Sequence, residues 1–387
     1  MERGGRLPED ATDEGEEGIG IQNLKVSSFS FRVSGLKSRT LPTRNQKPEP
    51  KNPPALSRWK RFRYRLERHS LDALAWWIPR LSRERCVKLS ILLGDLAYAF
   101  DARGRAVAMS NLESVFGEAL SASERRSLTR TSYRNFLRTM LDLFWAPNLT
   151  QENASQWLRF EGFEALHARH AQSPGGSILF CVHQGNWEWA SLAFGFAGFP
   201  TIIVAENFKN TLLSDVFHRL RETSGHTIIP QENSMLRLLK TVKRGGPTGM
   251  LLDLNLRPSQ AATIIEAFGD PGLKMCVTFL HALLAQRAGT LLFPVETEPL
   301  PDGTCRVIAH PPVEWPEGAS VQEIAQRCWN AMEPIIRARP GEWLWPYKHF
   351  RYVPRDATRA YPFYAHDSSK FEKLLRTISK ENAKVTQ

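Results

Sequence analysis

The sequence predicts an α/β protein, a mostly parallel sheet covered by helices, with a helical membrane-surface region near its N-terminus. Three observations support this fold class. Apolar residues make up 42% of the 387 residues and aromatic residues 10%, which is enough for a large core. After about residue 175, short β-rich runs alternate with amphipathic helical patterns, as in parallel sheets. Before that point, residues 58–145 carry mainly helical patterns.

Composition divides the chain into four parts: a disordered tail (1–57), a helical, membrane-associating region (58–155), an α/β domain (156–355) and a C-terminal extension (356–387). The first twenty residues carry seven acids, and Gly, Ser, Pro, Lys and Asn are then frequent up to KPEPKNPPALS. Such a segment buries too little apolar surface to offset the entropy lost on ordering, so we predict disorder and assign the tail no function.

Basic and aromatic residues are interleaved directly after the tail. RWKRFRYRLERH (58–69) has six Arg or Lys, and an apolar stretch with Trp76 and Trp77 follows and stops at Pro79. A second helix is predicted from the cap Ser82 to Phe100. Basic residues beside a Trp- and Leu-rich face are typical of an interfacial helix on anionic lipid. The alternative is that this face packs on the rest of the protein.

Further helix is expected over 105–145, where Ser121 and Glu124 have capping-box spacing. The five predicted strands are SILFCV (177–182), TIIVA (201–205), HTIIP (226–230), TGMLLD (248–253) and TLLFPVE (290–296). Helices are expected to begin near Trp187, Thr211, Ser234, Met275 and Val321. In the helix from Thr211, five apolar residues form one stripe, namely Leu212, Leu213, Val216, Phe217 and Leu220.

The formal charge of +11, the isoelectric point near 9.6 and the eleven Trp suit three kinds of partner: nucleic acid, an anionic membrane or an acidic carrier protein. The excess charge is uneven, because the first twenty residues are acidic and the basic cluster precedes a Trp-bearing helix. This pattern favours a membrane surface and an acidic carrier. No helix-turn-helix, RNP or zinc pattern occurs, so nucleic acid is not expected.

Several chemistries are not indicated. Five scattered cysteines show neither disulfide nor zinc spacing. P-loop, GxGxxG and HExxH motifs do not occur, so neither a nucleotide cofactor nor a metal is expected. A lipid-hydrolysing serine enzyme would need G-x-S-x-G, which the chain lacks. The longest uncharged stretch, 189–205, has 17 residues broken by Gly198 and Pro200, and no secretory leader is recognisable, so we expect any membrane contact to be peripheral.

A polar loop follows the first predicted strand. His183 comes just after the strand end, Gly185 permits a turn, Asn186 can cap the next helix, and Glu188 lies in that helix's first turn. A neutral imidazole oriented by a carboxylate is a general base near neutral pH. The free N–H groups of the helix N-terminus suit an oxyanion or a phosphate. Because H-x4-E alone is a weak signal, a satisfied structural histidine is the alternative.

The segment ILFCVHQGNWEWASLAF resembles the signature of the bacterial late lipid A acyltransferases, the lauroyl/myristoyl transferase family. The similarity continues in order over about residues 70–355, through AVAMSNLESVFG, SYRNFLRTMLDLF, NFKNTLLSDVFHRLRETSGHTIIP, RLLKTVKRGGPTGMLLDLN, AFGDPG, AGTLLFPVE and GEWLWPYKHFRYVP. Weak matches in a constant order are more specific than any one motif.

The resemblance implies an O-acyltransferase that moves a fatty acyl chain from acyl carrier protein, or acyl-CoA, to a hydroxyl of a membrane glycolipid, a lipid A precursor, at the cytoplasmic face of the cell inner membrane. It implies His183 as base and Glu188 as its carboxylate partner. It also implies substrate-binding positions at Arg221, Asp253, Asn186 and Lys209. From position alone, Arg221 is either a phosphate ligand or a solvated arginine, and Asp253 a site group or a helix cap.

Three departures from the family pattern bear on the acceptor. Glu206 lies near the place where many members have Arg, Leu254-Asn255 replaces a segment that often has Gln, and GDPGLKMCVT lacks the usual Pro and Thr. The alternatives are therefore an acyltransferase for another acceptor (phospholipid, aminolipid or another glycolipid) and a non-enzymatic membrane-binding protein. GEWLWPYKHFRYVP either contacts lipid head groups or the phosphopantetheine arm, or is a tryptophan anchor for the last helix. We expect the anchor.

Overall fold

The computed structural model describes residues 57–205, 210–230, 234–259 and 261–385. The predicted tail over 1–57 lies outside the described residues except for Ser57. The N-terminal part is helical, as expected. Its four long helices are α1 (Arg58–Trp77), α2 (Arg83–Phe100), α3 (Ala102–Phe116) and α4 (Ala122–Trp145).

Local sequence signals fix the ends of these helices. Ser57 and Ser82 each accept a backbone N–H as N-caps of α1 and α2. Ser121 and Glu124 form both bonds of the predicted capping box at the start of α4. α1 ends just before Pro79, as predicted, because proline is tolerated only in the first turn of the short helix that follows.

A seven-stranded sheet forms the centre of the protein, in the order β1-β9-β8-β2-β5-β3-β4. Its strands are β1 (Leu158–Glu161), β2 (Ser177–Cys181), β3 (Ile202–Ala205), β4 (Thr227–Pro230), β5 (Pro247–Leu251), β8 (Leu291–Pro299) and β9 (Cys305–Ala309). All neighbours are parallel except β8 and β9. All five predicted strands are confirmed, and the mostly parallel sheet is confirmed with them.

Helices cover both faces of this sheet. They are α5 (Ala154–Trp157), α6 (Phe163–Ala171), α7 (Trp187–Phe196), α8 (Thr211–Arg221), α9 (Ser234–Lys243), α10 (Leu280–Ala288) and α11 (Val321–Ala338). The last helix, α12 (Ser369–Val385), packs outside this sheet. In β2, Ile178 and Phe180 belong to the core shared with α9, α10 and α11, whereas Leu179 belongs to the core shared with α6, α7 and α8. The alternation of side chains along a strand thus builds two cores, one on each face.

One helix start was predicted wrongly. Met275 lies in a strand, since β6 (Ala262–Ala267) and β7 (Leu273–Thr278) form a separate antiparallel hairpin, and the helix begins only at Leu280. The two runs ATIIEA and LKMCVT flank a turn rich in Gly and Pro, which is a hairpin signal. α12 packs on this hairpin through Phe371, which is fully buried.

The predicted tryptophan anchor is confirmed. Trp343, Trp345 and Phe350 are fully buried and belong to the core that contains α11. None of the described helices combines the length and the hydropathy that a bilayer-crossing segment needs.

Candidate active site

The strands β2 and β5 bring two polar residues together at one edge of the sheet. They are parallel neighbours, and Cys181, the last residue of β2, is level with Leu251, the last residue of β5. His183 and Asp253 each follow two residues later. Equal offsets from paired strand ends place them side by side at the carboxyl edge, where open α/β sheets bind ligands.

His183 and Asp253 form a buried pair. The Nδ1 atom of His183 is 2.7 Å from Oδ1 of Asp253, and the backbone N–H of His183 donates to Oδ2 at 2.9 Å. The His183 side chain is 2% exposed and Asp253 is fully buried. Because a carboxylate only accepts hydrogen bonds, Nδ1 carries a proton and Nε2 of the neutral ring is the basic atom.

Other donors hold Asp253 in its ionised form. The indole Nε1–H of Trp343 donates to Oδ2 at 2.8 Å, and the His349 ring stacks on Trp343. Burial by itself would raise the pKa of Asp253, but the charge and hydrogen bonds of His183, with a contribution from His349, outweigh it and lower that pKa to about 2. Asp253 therefore remains a carboxylate at neutral pH.

The Nε2 atom of His183 is open for chemistry. It has no hydrogen-bond partner among the described residues. It is also not fully buried, so it faces accessible space. A neutral imidazole held from behind by a carboxylate is the arrangement of a general base.

The structure does not bring Glu188, the predicted carboxylate partner, into contact with the His183 ring. Glu188 accepts two hydrogen bonds from Arg221, from Nε at 2.9 Å and from Nη2 at 2.7 Å, and among the described residues it makes no ion pair with His183. The reason is position: Glu188 lies in the first turn of α7, which packs against α8, and Arg221 is the last residue of α8. The carboxylate that contacts the His183 ring is that of Asp253.

Arg221 and Glu188 nevertheless lie close to the same edge. Burial would lower the pKa of Arg221, but the charge of Glu188 and the hydrogen bonds to it raise that pKa. Burial first, and then the charges of Asp253 and Glu188, raise the pKa of the Cys181 thiol. Cys181 therefore stays protonated, and it is a poor nucleophile.

Asn186 caps α7 and is bonded on both sides within the protein. Its Oδ1 accepts the N–H of Trp189 at 3.0 Å, its Nδ2 donates to Asp142 at 2.7 Å, and the residue is fully buried. The predicted helix cap is thus confirmed, and both side-chain polar atoms are bonded inside the protein, while the predicted substrate contact stays a prediction. Lys209, the last predicted binding residue, lies outside the described residues.

α4 holds the histidine loop, which sequence reasoning did not foresee. Asn135 and Thr139 both donate to the carbonyl of Gly185, and Asp142 binds Asn186. Asp142 is itself held by a buried, bidentate ion pair with Arg83, with contacts of 2.5 and 2.8 Å. The spacing of residues 135, 139 and 142 places three polar side chains on one face of α4. This spacing is the sequence signal that could have predicted a polar contact of α4 with the loop.

An apolar lining borders the His183–Asp253 pair. The Trp187 ring meets the His183 ring edge-on at 5.2 Å between centroids. Trp187, Phe136 and Leu344 form a small buried cluster. Five partly buried side chains pack on that cluster: Leu137, Met140, Cys181, Leu251 and Tyr347. The basic nitrogen therefore lies beside a surface suited to hydrocarbon.

Within the described ranges, no three His, Cys, Asp or Glu side chains are grouped in a way that would hold a metal ion. The site is thus built from a histidine, two paired carboxylates and an apolar lining.

Comparison with known proteins identifies the family of the chain. The family model of bacterial lipid A biosynthesis acyltransferases matches residues 62–352, a range that includes α2 to α11, His183, Asp253 and Trp343. No curated protein is similar enough to count as a match. Because the match covers well over half of the chain, the protein belongs to the bacterial lipid A biosynthesis acyltransferase family.

Proposed function

We propose that the protein is an O-acyltransferase that moves a fatty acyl chain from acyl carrier protein or acyl-CoA to a hydroxyl of a membrane glycolipid, a lipid A precursor. The observation that carries this proposal is the His183–Asp253 pair with its open Nε2 atom at the carboxyl edge of the sheet. Membership of an acyltransferase family and a histidine placed as a general base both support this reaction class.

In the proposed reaction, Nε2 of His183 takes the proton of the acceptor hydroxyl as its oxygen attacks the thioester carbonyl carbon. The tetrahedral intermediate collapses, the carbon–sulfur bond breaks, and the imidazolium returns its proton to the departing thiolate. The products are an ester and a free thiol. Asp253 stabilises the imidazolium between the two proton transfers.

The start of α7 supports stabilisation of the intermediate. The backbone N–H groups of Trp187 and Glu188 occupy the first turn of α7, and they have no acceptor among the described residues. Such N–H groups at a helix N-terminus favour negative charge. The apolar lining beside His183 suits the acyl chain that must approach the base.

The surface of α1 supports peripheral association with the cytoplasmic face of the cell inner membrane. Trp59, Phe62 and Leu66 are 70%, 56% and 56% exposed, and with Trp77 they lie along one side of the helix. Arg58, Arg63 and Arg65 are exposed beside this stripe. An exposed apolar stripe with basic flanks fits an anionic membrane surface.

The test is acyl transfer from a labelled acyl donor to lipid acceptors by the purified protein. We expect His183→Ala to abolish transfer while the far-ultraviolet circular dichroism stays unchanged. His167→Ala is the matched control, because His167 contacts Ala197 just beyond the last turn of α7, away from the site. Near wild-type turnover in His183→Ala would refute the assignment of His183 as the general base.

The acceptor is tested separately by lipid mass spectrometry of a strain lacking the protein. Loss of one acyl chain from lipid A would support the proposed acceptor. An unchanged lipid A with an altered phospholipid or aminolipid would assign the same chemistry to another lipid.

A further inference from the structure

A buried ion pair joins helices α2 and α4 beside the start of α7. Arg83, the first residue of α2, donates from Nη1 and Nη2 to the two carboxylate oxygens of Asp142 at 2.5 and 2.8 Å. The two side chains are 5% and 1% exposed. The guanidinium also lies 4.5 Å from the centre of the Trp189 ring, and its Nε–H donates to the carbonyl of Gly303. These contacts hold the pair in one arrangement.

The stability of the fold does not account for this pair. Removing two charges from water often costs as much as their attraction returns, so apolar side chains of similar volume serve a core equally well. A third charge adds to the cost, because Nε of Arg138 is 3.6 Å from Asp142 and has no hydrogen-bond partner among the described residues. We therefore expect Asp142 to have a role besides stability.

Asp142 determines which way the Asn186 amide points. Nδ2 of Asn186 donates to Oδ2 of Asp142 at 2.7 Å, and Oδ1 of Asn186 accepts the backbone N–H of Trp189 at 3.0 Å. The oxygen and nitrogen of an amide have nearly the same size, so packing alone does not distinguish the two orientations. Because a carboxylate only accepts hydrogen bonds, Asp142 selects the orientation in which Oδ1 caps α7.

This orientation affects the N–H groups proposed to stabilise the tetrahedral intermediate. Those of Trp187 and Glu188 directly follow Asn186 and lie in the first turn of α7, which the Asn186 cap holds in place. In the opposite orientation, the amide NH₂ group would face the backbone N–H of Trp189. Two donors would then oppose each other, and the first turn would fray. The placement of the oxyanion donors therefore depends on Asp142.

We infer that Asp142, held by Arg83, is a positioning residue that fixes the Asn186 amide and thereby aims the first-turn N–H groups of α7 at the tetrahedral intermediate. This inference rests on the proposed function. Because Asp142 is buried, it acts through Asn186 and not by contact with a substrate. An interaction that matters only in the transition state changes kcat and leaves KM almost unchanged.

Hydrogen exchange tests the positioning without catalysis. The double variant Arg83→Met, Asp142→Leu puts apolar side chains in place of the ion pair, so it removes the acceptor of Asn186 without leaving Arg83 unpaired. We expect the backbone N–H of Trp189 to exchange about fivefold faster, because its cap is no longer oriented. Unchanged exchange at Trp189 would overturn the inference, whether or not the protein transfers acyl chains.

Asp95→Asn is the matched control for the double variant. Asp95 also joins α2 to α4, through hydrogen bonds from Arg130 and Arg134, but it lies about 18 Å along α2 from Arg83. This variant should keep the wild-type exchange at Trp189 and the wild-type kcat. If it loosened Trp189 as strongly as the double variant, any weakening of the contact between α2 and α4 would have this effect, and the inference would be wrong.

Kinetics then separate positioning from substrate binding. With a labelled acyl donor, the double variant should lose kcat about 10- to 100-fold while KM stays close to that of the wild type, because displaced oxyanion donors affect only the transition state. A raised KM with unchanged kcat would assign the ion pair to substrate binding and overturn the inference. Absence of acyl transfer by the wild type would instead refute the proposed function.

A substitution of Asn186 gives the rescue experiment. A serine hydroxyl also caps helices, and it rotates to suit its partners, so it needs no carboxylate to orient it. Asn186→Ser added to the double variant should therefore restore slow exchange at Trp189 and most of the lost kcat. If this triple variant folded by circular dichroism but recovered nothing, the ion pair would act on the fold and not through the amide, contrary to the inference.

Arg83→Lys keeps the test decisive if the double variant does not fold. Lysine retains the positive charge but lacks the planar fork that holds both oxygens of Asp142. We therefore expect faster exchange at Trp189 and a kcat about three- to tenfold lower, with KM unchanged. Wild-type exchange and wild-type kcat in a folded Arg83→Lys protein would contradict the inference.

Discussion

The carboxyl edge of the sheet buries polar side chains, whereas helix α1 exposes apolar ones. At the edge, His183 and Asp253 are polar and almost fully buried. On α1, Trp59 and Phe62 are apolar and more than half exposed. Both arrangements oppose the solvation preferences that stabilise a fold. Their contrast separates the two tasks we propose, chemistry at the edge and lipid contact on the helix.

The largest effect is expected from disrupting the His183–Asp253 pair at the carboxyl edge of the sheet. Asp253→Asn should lower kcat at least about 100-fold, because an amide neither fixes the Nδ1–H tautomer nor stabilises an imidazolium. Steady-state acyl transfer measures the loss. The exposed carboxylate of Asp356 gives the control Asp356→Asn, which should behave like the wild type.

Glu188→Gln sharpens the same comparison. Since Glu188 binds Arg221 and not the imidazole, this variant should retain clearly more kcat than Asp253→Asn. A Glu188→Gln variant as inactive as Asp253→Asn would return the orienting role to Glu188.

A smaller effect is expected on α1. The triple variant Trp59→Ser, Phe62→Ser, Leu66→Ser should bind vesicles of anionic phospholipid about 10- to 100-fold more weakly, because three apolar side chains lose their contact with lipid. Vesicle sedimentation measures it, and turnover on detergent-dispersed acceptor should persist. Leu236→Ser, which changes a leucine that is 61% exposed on α9, is the control. If the triple variant bound vesicles as strongly as the wild type, the contact with lipid would lie elsewhere on the protein.

The smallest effect concerns Glu342, which lies next to the edge. Burial raises its pKa from 4.5 to about 6, although Arg339 opposes the rise. The folded protein therefore holds this proton more tightly than the unfolded chain, and stability is lost as pH rises from about 4.5 through about 6. Glu342→Gln should remove this loss, so it should add about 2 kcal/mol at pH 8 and nothing at pH 4.

Chemical denaturation at the two pH values measures this difference between Glu342→Gln and the wild type. A stability difference that is the same at pH 4 and pH 8 would show that Glu342 carries no such burial cost.

Periodicity predicted most of the fold because each predicted strand is a short β-rich run with a clear boundary. The error at Met275 arose because LKMCVT has apolar residues that suit either a strand or a helix, and only pairing with β6 decides between them. The strands β1 and β9 went unpredicted. Their hydrogen bonds join residues about 147 positions apart, such as Leu158 and Cys305, which no local pattern reveals.

The site was predicted in part. His183 was found from its place after a strand, and Asp253 from its place at the end of another. Their partnership was missed because it depends on β2 and β5 being neighbours, whereas Glu188 was near in sequence. The bond from Asn186 to Asp142 was not predicted because Asp142 lies on a helix 44 residues earlier.

The link between Trp343 and Asp253 also has a consequence for when the protein becomes competent. The backbone of Leu344 donates to the carbonyl of His183, and Trp343 pairs with Gln184, so a late segment of the chain completes the histidine loop. A nascent chain that already contains the dyad still lacks this support. Competence therefore arises only after the segment with Trp343 and Leu344 has been synthesised and has packed against the histidine loop.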